Sequence, residues 1–282
     1  MSDWSKTNSL EWMQHDADTN YIMSLKNIRL LCTDFDGTLY SETMSPRIPS
    51  GLIDCIGSMQ QNGTLWMINT GRDREFLLES LLEHNEGLLP DYIGVVEREV
   101  YTLQSNTYHP VHDWNSHSKS IHTALFKKYS SLMLEVSEWI NGEFDAHVYE
   151  DKHSPVCLIA RCNEDADLIH RFVDEKLRAH TDLAWVRNDI YARFSHASIH
   201  KGTLVGEIAK RHQISRDQIL VAGDHFNDIP MLHPNVAQHL IAPGNSIPAV
   251  MEHVMRHDGK IASQPAGDGV LECLRQFDEG AW

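Results

Sequence analysis

The sequence lacks the features that mark nucleic-acid binders, membrane proteins and disulfide-bonded secreted proteins. Acidic residues outnumber basic ones by 40 to 24 in a chain of 282, and the net charge of −16 disfavours a nucleic-acid or anionic-membrane partner, because both attract a positive surface. No apolar run approaches the length of a membrane span, and the N-terminus shows no signal peptide. The five cysteines include no C-x-x-C pair, so we expect reduced thiols in a cytoplasmic protein, with no zinc site. A small anionic substrate stays compatible with this charge, because one lysine and a metal ion can capture it.

The sequence does contain an alternation of short apolar strands and amphipathic helices towards both ends. Strands are predicted over 28–33, 64–69 and 91–96, separated by helices whose apolar residues recur at helical spacing. The pattern resumes later in the chain, with strands over 217–222 and 239–242. This order of elements is typical of an α/β fold with a doubly wound, Rossmann-like core on a parallel sheet.

The middle of the chain follows a different pattern. Residues 112–143 are predicted to be mainly helical, and the short strands that follow pair like hairpins around a helix over 165–179. We interpret this segment as an α+β domain inserted into the core, because its length is usual for a domain. The expected division is an N-terminal tail over 1–25, a catalytic core over 26–110 and 195–282, and an inserted domain over 111–194.

The most informative single feature is a pair of aspartates, Asp34 and Asp36, at the end of the first predicted strand. Two neighbouring carboxylates repel each other and need a cation or a proton to hold them together. Gly37 then allows a sharp turn, and in an open parallel sheet ligand sites form beyond the carboxyl ends of the strands. The alternative is an ordinary Asp-Gly turn after a strand, which is common.

Two further segments lie at equivalent places in the predicted core. Thr70-Gly71-Arg72 follows the second strand, where glycine lets a ligand approach the backbone, although Thr70 could simply be a helix N-cap in a capping box with Asp73. Lys201 opens a helix, and a lysine is electrostatically unfavourable at that end. Its position favours a role in binding an anion, although a solvated surface lysine is the commoner situation.

The fourth segment is the run Gly223-Asp-His-Phe-Asn-Asp228, which begins where a buried strand ends. An acidic helix start would explain this run without any function. Asp224 and Asp228 nevertheless bring the number of carboxylates on one rim to four, and such a cluster needs a divalent cation. Because the donors are oxygens and no histidine or cysteine has matching spacing, Mg²⁺ is favoured over Zn²⁺.

These segments, in this order, resemble the four motifs of the haloacid dehalogenase superfamily of phosphohydrolases. The inserted domain is similar in position to the α+β cap of the subgroup that includes sucrose-phosphate phosphatases. The resemblance implies a Mg²⁺-dependent phosphatase that acts on a small phosphorylated metabolite, such as a sugar phosphate, through an aspartyl-phosphate. It implies that Asp34 is the nucleophile and that Asp36 is the general acid and base. The implied phosphate-binding residues are Thr70, Gly71, Arg72, Lys201 and Asn227, and the implied metal ligands are Asp34, Asp36 through its backbone carbonyl, Asp224 and Asp228.

The resemblance leaves the substrate contacts open. Related proteins often carry an Asn-Gly pair after the third core strand, where this sequence has Val-Glu-Arg-Glu-Val-Tyr over 96–101. The candidate contacts in the inserted domain are Glu150, Lys152, His153, Arg161, Arg187, Asn188 and Arg193, with Trp114 and Trp139 as candidate sugar platforms. A phosphomutase that uses the same intermediate and a catalytically silent metabolite-binding protein are the alternative functions. The presence of every expected reactive residue disfavours the silent protein.

Overall fold

The computed structural model describes residues 25–85 and 87–280, so the expected tail lies outside the described residues except for Leu25. The strands are, in chain order, β1 (Leu30–Thr33), β2 (Leu65–Asn69), β3 (Tyr92–Val95), β4 (Glu99–Gln104), β5 (Thr107–Pro110), β6 (His147–Tyr149), β7 (Cys157–Ile159), β8 (Leu183–Asn188), β9 (Tyr191–His196), β10 (Ile219–Ala222), β11 (His239–Ala242) and β12 (Lys260–Ile261). The helices are α1 (Ser50–Gln61), α2 (Arg74–His84), α3 (His112–Lys128), α4 (Ser130–Glu143), α5 (Asn163–Leu177), α6 (Lys201–His212), α7 (Pro248–Arg256) and α8 (Ala266–Asp278). None of these described helices combines the length and the apolar character that crossing a membrane requires.

The core is built on a sheet that has eight strands among the described residues, in the order β12-β11-β10-β1-β2-β3-β4-β5. Strand β1 lies between β10 and β2 and pairs with both in parallel, so that Thr33 faces Ala222 on one side and Ile68 on the other. Alternate residues of the buried strands pack into two apolar clusters, one on each face of the sheet. Helices α1, α2 and α8 cover one face and α6 and α7 cover the other, which confirms the predicted doubly wound core.

Strands β4 and β5 extend this sheet with an antiparallel hairpin that the sequence analysis did not predict. Their side chains are mostly exposed or half-buried, so they lack the continuous apolar run that identified the inner strands. The turn between them is formed by Ser105 and Asn106, both with positive φ (48° and 60°), which is the geometry of a two-residue hairpin turn.

The inserted segment forms a second layer of its own. Strands β6 to β9 make an antiparallel sheet in the order β6-β7-β9-β8, and α4 and α5 pack their apolar residues against it. The centre of this cluster is fully buried at Val136, Ile140, Val173 and Phe194. The α+β character predicted for this segment is therefore present, and we call it the cap. The predicted boundary at residue 194 falls inside β9, and the division into domains stays a prediction.

Candidate active site

The predicted segments meet at one edge of the core sheet. Asp34 directly follows β1, Thr70 directly follows β2, and Asp224 lies just beyond β10. Because these strands run in parallel and are neighbours, their carboxyl ends place the three side chains on the same rim. Lys201, the first residue of α6, reaches this rim from the sheet face that α6 and α7 cover.

A buried ion triplet occupies the centre of the rim. The Nζ atom of Lys201 lies 2.8 Å from Oδ1 of Asp34 and 2.6 Å from Oδ1 of Asp228, and the three side chains are 0%, 2% and 0% exposed. Burial alone would lower the pKa of Lys201, but the charges of Asp228 and Asp34 raise it above its ordinary value, so the lysine is an ammonium. The alternative of a solvated surface lysine is therefore wrong.

The same rim presents a donor set that fits a divalent cation. One carboxylate oxygen from each of Asp34, Asp224 and Asp228 lies within 4.8 Å of the others. Burial and repulsion from Asp228 raise the pKa of Asp34 well above its ordinary value and that of Asp224 to about 7, which means that the single lysine does not compensate these carboxylates. An all-oxygen, anionic and undercompensated set suits a hard cation such as Mg²⁺.

Asp228 mainly supports this set. Its Oδ2 atom accepts hydrogen bonds from the backbone N–H groups of Asp224 and His225, both at 2.9 Å, while its Oδ1 is engaged by Lys201. These contacts stabilise a short 3-10 helix at Phe226–Asp228.

The side chain of Asp36 is not part of the cluster formed by the other three carboxylates. Both of its oxygens accept hydrogen bonds from the guanidinium of Arg72, and this guanidinium lies 4.0 Å from the ring centroid of Phe76. The bidentate pair fixes the orientation of the Asp36 carboxylate at the mouth of the site. Of the residues predicted to hold the metal, Asp36 can therefore reach it only through its backbone.

The loop after β2 is shaped by local hydrogen bonds. The hydroxyl of the buried Thr70 accepts a hydrogen bond from the N–H of Arg72 at 3.1 Å. The N-cap of α2 is Asp73, whose side chain accepts from the N–H of Phe76 at 2.9 Å. The alternative in which Thr70 is the N-cap of this helix is therefore wrong, and Thr70 is left facing the rim.

Three residues that the sequence analysis did not select also shape the site. Thr38 donates a hydrogen bond to Oδ1 of Asp224 at 2.9 Å, and Asn245 donates to the carbonyl of Gly37 at the same distance. Glu97 accepts a hydrogen bond from the amide of Asn227 at 2.7 Å. Two of them had a signal in the sequence, since Thr38 lies in the run from Asp34 to Leu39 and Glu97 lies in the run that departs from the family pattern.

Gly37 shows why the turn after the aspartates needs glycine. Its φ is +72°, and a Cβ atom there would lie 2.3 Å from Oδ2 of Asp224. Any other residue would be strained in the backbone and would also displace a carboxylate of the clustered set.

A cavity of about 1080 Å³ separates this rim from the cap. Of the candidate cap contacts, Lys152, His153, Asn188 and Arg193 line it, whereas Glu150, Arg161 and Arg187 do not. Arg187 instead pairs with Asp167 and does not line the cavity. The candidate platforms are engaged elsewhere, since Trp139 stacks on Phe172 at 3.6 Å and Trp114 donates to the carbonyl of Arg98.

Comparisons with known proteins agree with this geometry. A family model described as haloacid dehalogenase-like hydrolase matches residues 31–274. A phosphoglycolate phosphatase of Nitrosopumilus maritimus is 40% identical over 76 residues, which is 27% of this chain and only 30% of that protein's length. An uncharacterized protein of Mycoplasma capricolum is 24% identical over 233 residues, covering 72% of this chain and 86% of that protein.

The structural comparison extends over both layers of the molecule. The sucrose-phosphatase of Synechocystis sp. PCC6803, solved in complex with sucrose and phosphate, matches with a TM-score of 0.68 at 15% identity. The match covers 88% of this chain and 97% of that one. At this level of identity the likeness establishes the arrangement of core and cap and nothing about substrate.

Proposed function

The chain belongs to the haloacid dehalogenase-like hydrolase family, and we propose that it is a Mg²⁺-dependent phosphomonoesterase that acts on a small phosphorylated metabolite, a sugar phosphate in the first instance. A phosphatase with an inserted cap agrees with the family match and with the two-layer fold. The observation that supports the reaction best is the buried triplet of Asp34, Lys201 and Asp228 beside Asp224.

Asp34 is the proposed nucleophile. Its carboxylate would form a bond to phosphorus while the ester oxygen leaves, which gives an aspartyl-phosphate and an alcohol. The ammonium of Lys201, 2.8 Å from Oδ1 of Asp34, holds the carboxylate in place and offsets part of its negative charge. Burial of the pair keeps competing water away from the carboxylate.

Asp36 is the proposed general acid and base. It lies two positions after Asp34, at the mouth of the cavity, where it could protonate the leaving oxygen and then take a proton from the water that attacks the aspartyl-phosphate. Arg72 orients both of its oxygens in the resting site, and this contact would have to loosen for the proton to move.

The phosphoryl oxygens would be bound by Thr70, Gly71, Arg72, Lys201 and Asn227. Thr70 and Asn227 are almost fully buried on the rim, and the Thr70 hydroxyl and the Asn227 amide N–H groups are the hydrogen-bond donors that these side chains can offer to a phosphoryl oxygen. Asp34, Asp224 and Asp228, with the backbone carbonyl of Asp36, would hold Mg²⁺. When bound, this ion would offset the negative charge of the phosphoryl group and of the carboxylates.

The test is release of inorganic phosphate from a panel of phosphorylated metabolites, with Mg²⁺ and then with EDTA. We expect release that requires the metal and that falls by roughly 10⁴-fold or more in Asp34→Asn, because a nucleophile is lost. Asp189→Asn is the matched control. Asp189 lines the same cavity from the cap side, and asparagine tolerates its φ of +53°. The rate of phosphate release by Asp189→Asn should therefore stay within about threefold of the wild-type rate.

No release from any substrate, or release that ignores both EDTA and Asp34→Asn, would contradict the proposal. Transfer of the phosphoryl group to another hydroxyl without accumulation of free phosphate would identify a phosphomutase instead.

A further inference from the structure

One buried carboxylate of the cavity wall has no role in the chemistry described above. Glu97 is 7% exposed, lines the cavity, and accepts a hydrogen bond from Nδ2 of Asn227 at 2.7 Å. Its Oε1 atom also lies 3.3 Å from the position that a Cβ of Gly71 would occupy. Glu97 therefore contacts Asn227 and lies beside Gly71, two of the proposed phosphate-binding residues, without belonging to the metal set.

The backbone holds Glu97 there in an unfavourable conformation. Val96 and Glu97 both have positive φ (47° and 61°), which is rare for residues other than glycine and especially so for a β-branched one. Backbone hydrogen bonds from Val96 to Arg72 (2.9 Å) and from Glu97 to Thr70 (3.2 Å) tie this turn to the phosphate loop. Strain that is maintained by the surrounding structure is typical of functional positions.

The charges around Glu97 indicate what it can contact. In the described part of the chain Glu97 forms no salt bridge, whereas each cationic side chain that lines the cavity already lies near a carboxylate. Arg72 pairs with Asp36, Arg193 lies 3.8 Å from Asp151, and Lys152 lies 3.7 Å from Glu75. A substrate that carries a second anion at this turn would face a buried carboxylate, whereas Arg72, Arg193 and Lys152 each already face a carboxylate of the protein.

We propose that Glu97 determines specificity by accepting a hydrogen bond from a hydroxyl group next to the phosphoester and by rejecting leaving groups that carry a carboxylate there. This inference rests on the proposed function, because it takes the phosphoryl group to lie against Asn227 and Gly71. It narrows the substrate class to phosphomonoesters of neutral, hydroxylated alcohols, and it assigns the selection to the core turn between β3 and β4.

The test compares two small esters that differ at one position. These are 2-hydroxyethyl phosphate, which has a hydroxyl next to the ester carbon, and 2-phosphoglycolate, which has a carboxylate there. Each ester is measured as a substrate and as a competitor of p-nitrophenyl phosphate. The ratio of the enzyme's preference for 2-hydroxyethyl phosphate to its preference for 2-phosphoglycolate is then obtained even when turnover is slow. The variants are Glu97→Gln, which removes the charge and keeps the size, and Glu99→Gln, which removes a charge from β4 outside this cavity.

The wild type should favour the hydroxyl compound by at least about tenfold, since like charges brought together in a buried site repel each other. Glu97→Gln should reduce this ratio by about tenfold, and Glu99→Gln should leave it unchanged. A ratio that stays constant in Glu97→Gln while all three esters slow equally would overturn the proposal, because Glu97 would then only position Asn227. A wild-type preference for 2-phosphoglycolate would also overturn it. Absence of metal-dependent phosphate release from p-nitrophenyl phosphate and from every ester of the panel would instead reject the proposed function itself.

Discussion

The two walls of the cavity differ in how their charges are held. On the core side, Lys201 is fully buried between Asp34 and Asp228 at distances below 3 Å. On the cap side, the side chain of Lys152 is 66% exposed and lies 3.7 Å from a half-exposed Glu75. The core wall is thus a fixed electrostatic environment suited to one chemical step, whereas the cap wall is solvated and can be remodelled at little energetic cost.

The difference can be tested most strongly by removing one lysine from each wall. Lys201→Met would leave two carboxylates buried without their cation, so we expect the free energy of unfolding to fall by about 3–5 kcal/mol. Lys152→Met should change it by no more than about 0.5 kcal/mol, because exposed ion pairs contribute little. Urea unfolding in EDTA, which removes any metal contribution, measures both.

If the two substitutions lowered the free energy of unfolding equally, the proposed difference between the core wall and the cap wall would be wrong. A Lys201→Met protein as stable as the wild type would show that the Asp34 and Asp228 carboxylates do not depend on this ammonium for their burial.

A smaller effect is expected inside the cap, at the buried His122 of α3. Its Nδ1 lies 2.7 Å from the carbonyl of Ser118, and its Nε2 accepts from the N–H of His196 at the end of β9. Burial, with the charge of Arg98, lowers its pKa from 6.5 to about 4, so the neutral ring is the folded form. The unfolded chain then binds more protons than the folded one between pH 6.5 and 4, and stability is lost as the pH falls through this range.

This loss should be on the order of 2 kcal/mol, and it should be absent above pH 6.5, where the ring is neutral in both states. Unfolding curves at several pH values should show a shallower slope for His122→Gln than for the wild type within that window. The exposed His147 provides the control, since His147→Gln should keep the wild-type slope. An unchanged slope in His122→Gln would mean that this ring is charged in the folded cap.

The same contrast explains how much could be predicted from the sequence. The core strands are continuous apolar runs that end in short polar segments, so both the doubly wound sheet and the meeting of Asp34, Thr70, Lys201 and Asp224 at one edge followed from local patterns. The geometry of Asp36 could not be predicted this way, because its pairing with Arg72 joins two loops that only the folded sheet brings together.

The turn between β3 and β4 and the cap wall were harder to predict from the sequence, for a different reason. Glu97 reaches the site because Val96 and Glu97 adopt positive φ, which their residue types do not favour and which no sequence pattern indicates. In the cap, several polar residues of similar character lie on neighbouring strands, and alternation along a strand does not reveal which of them face the cavity. Arg187 and Arg193 illustrate this, since the first binds within the cap and the second lines the cavity.

The most direct test of the central claim is to look for a phosphoryl group on Asp34. A substrate identified by the panel, labelled in its phosphoryl group, is mixed with the wild type and with Asp36→Asn and quenched in acid during turnover. Loss of the residue that activates water should let the intermediate accumulate, so we expect protein-bound label in Asp36→Asn that hydroxylamine releases and that maps to the peptide containing Asp34. Asp34→Asn should carry none. Turnover with no protein-bound label in either enzyme, or label that persists in Asp34→Asn, would contradict the account.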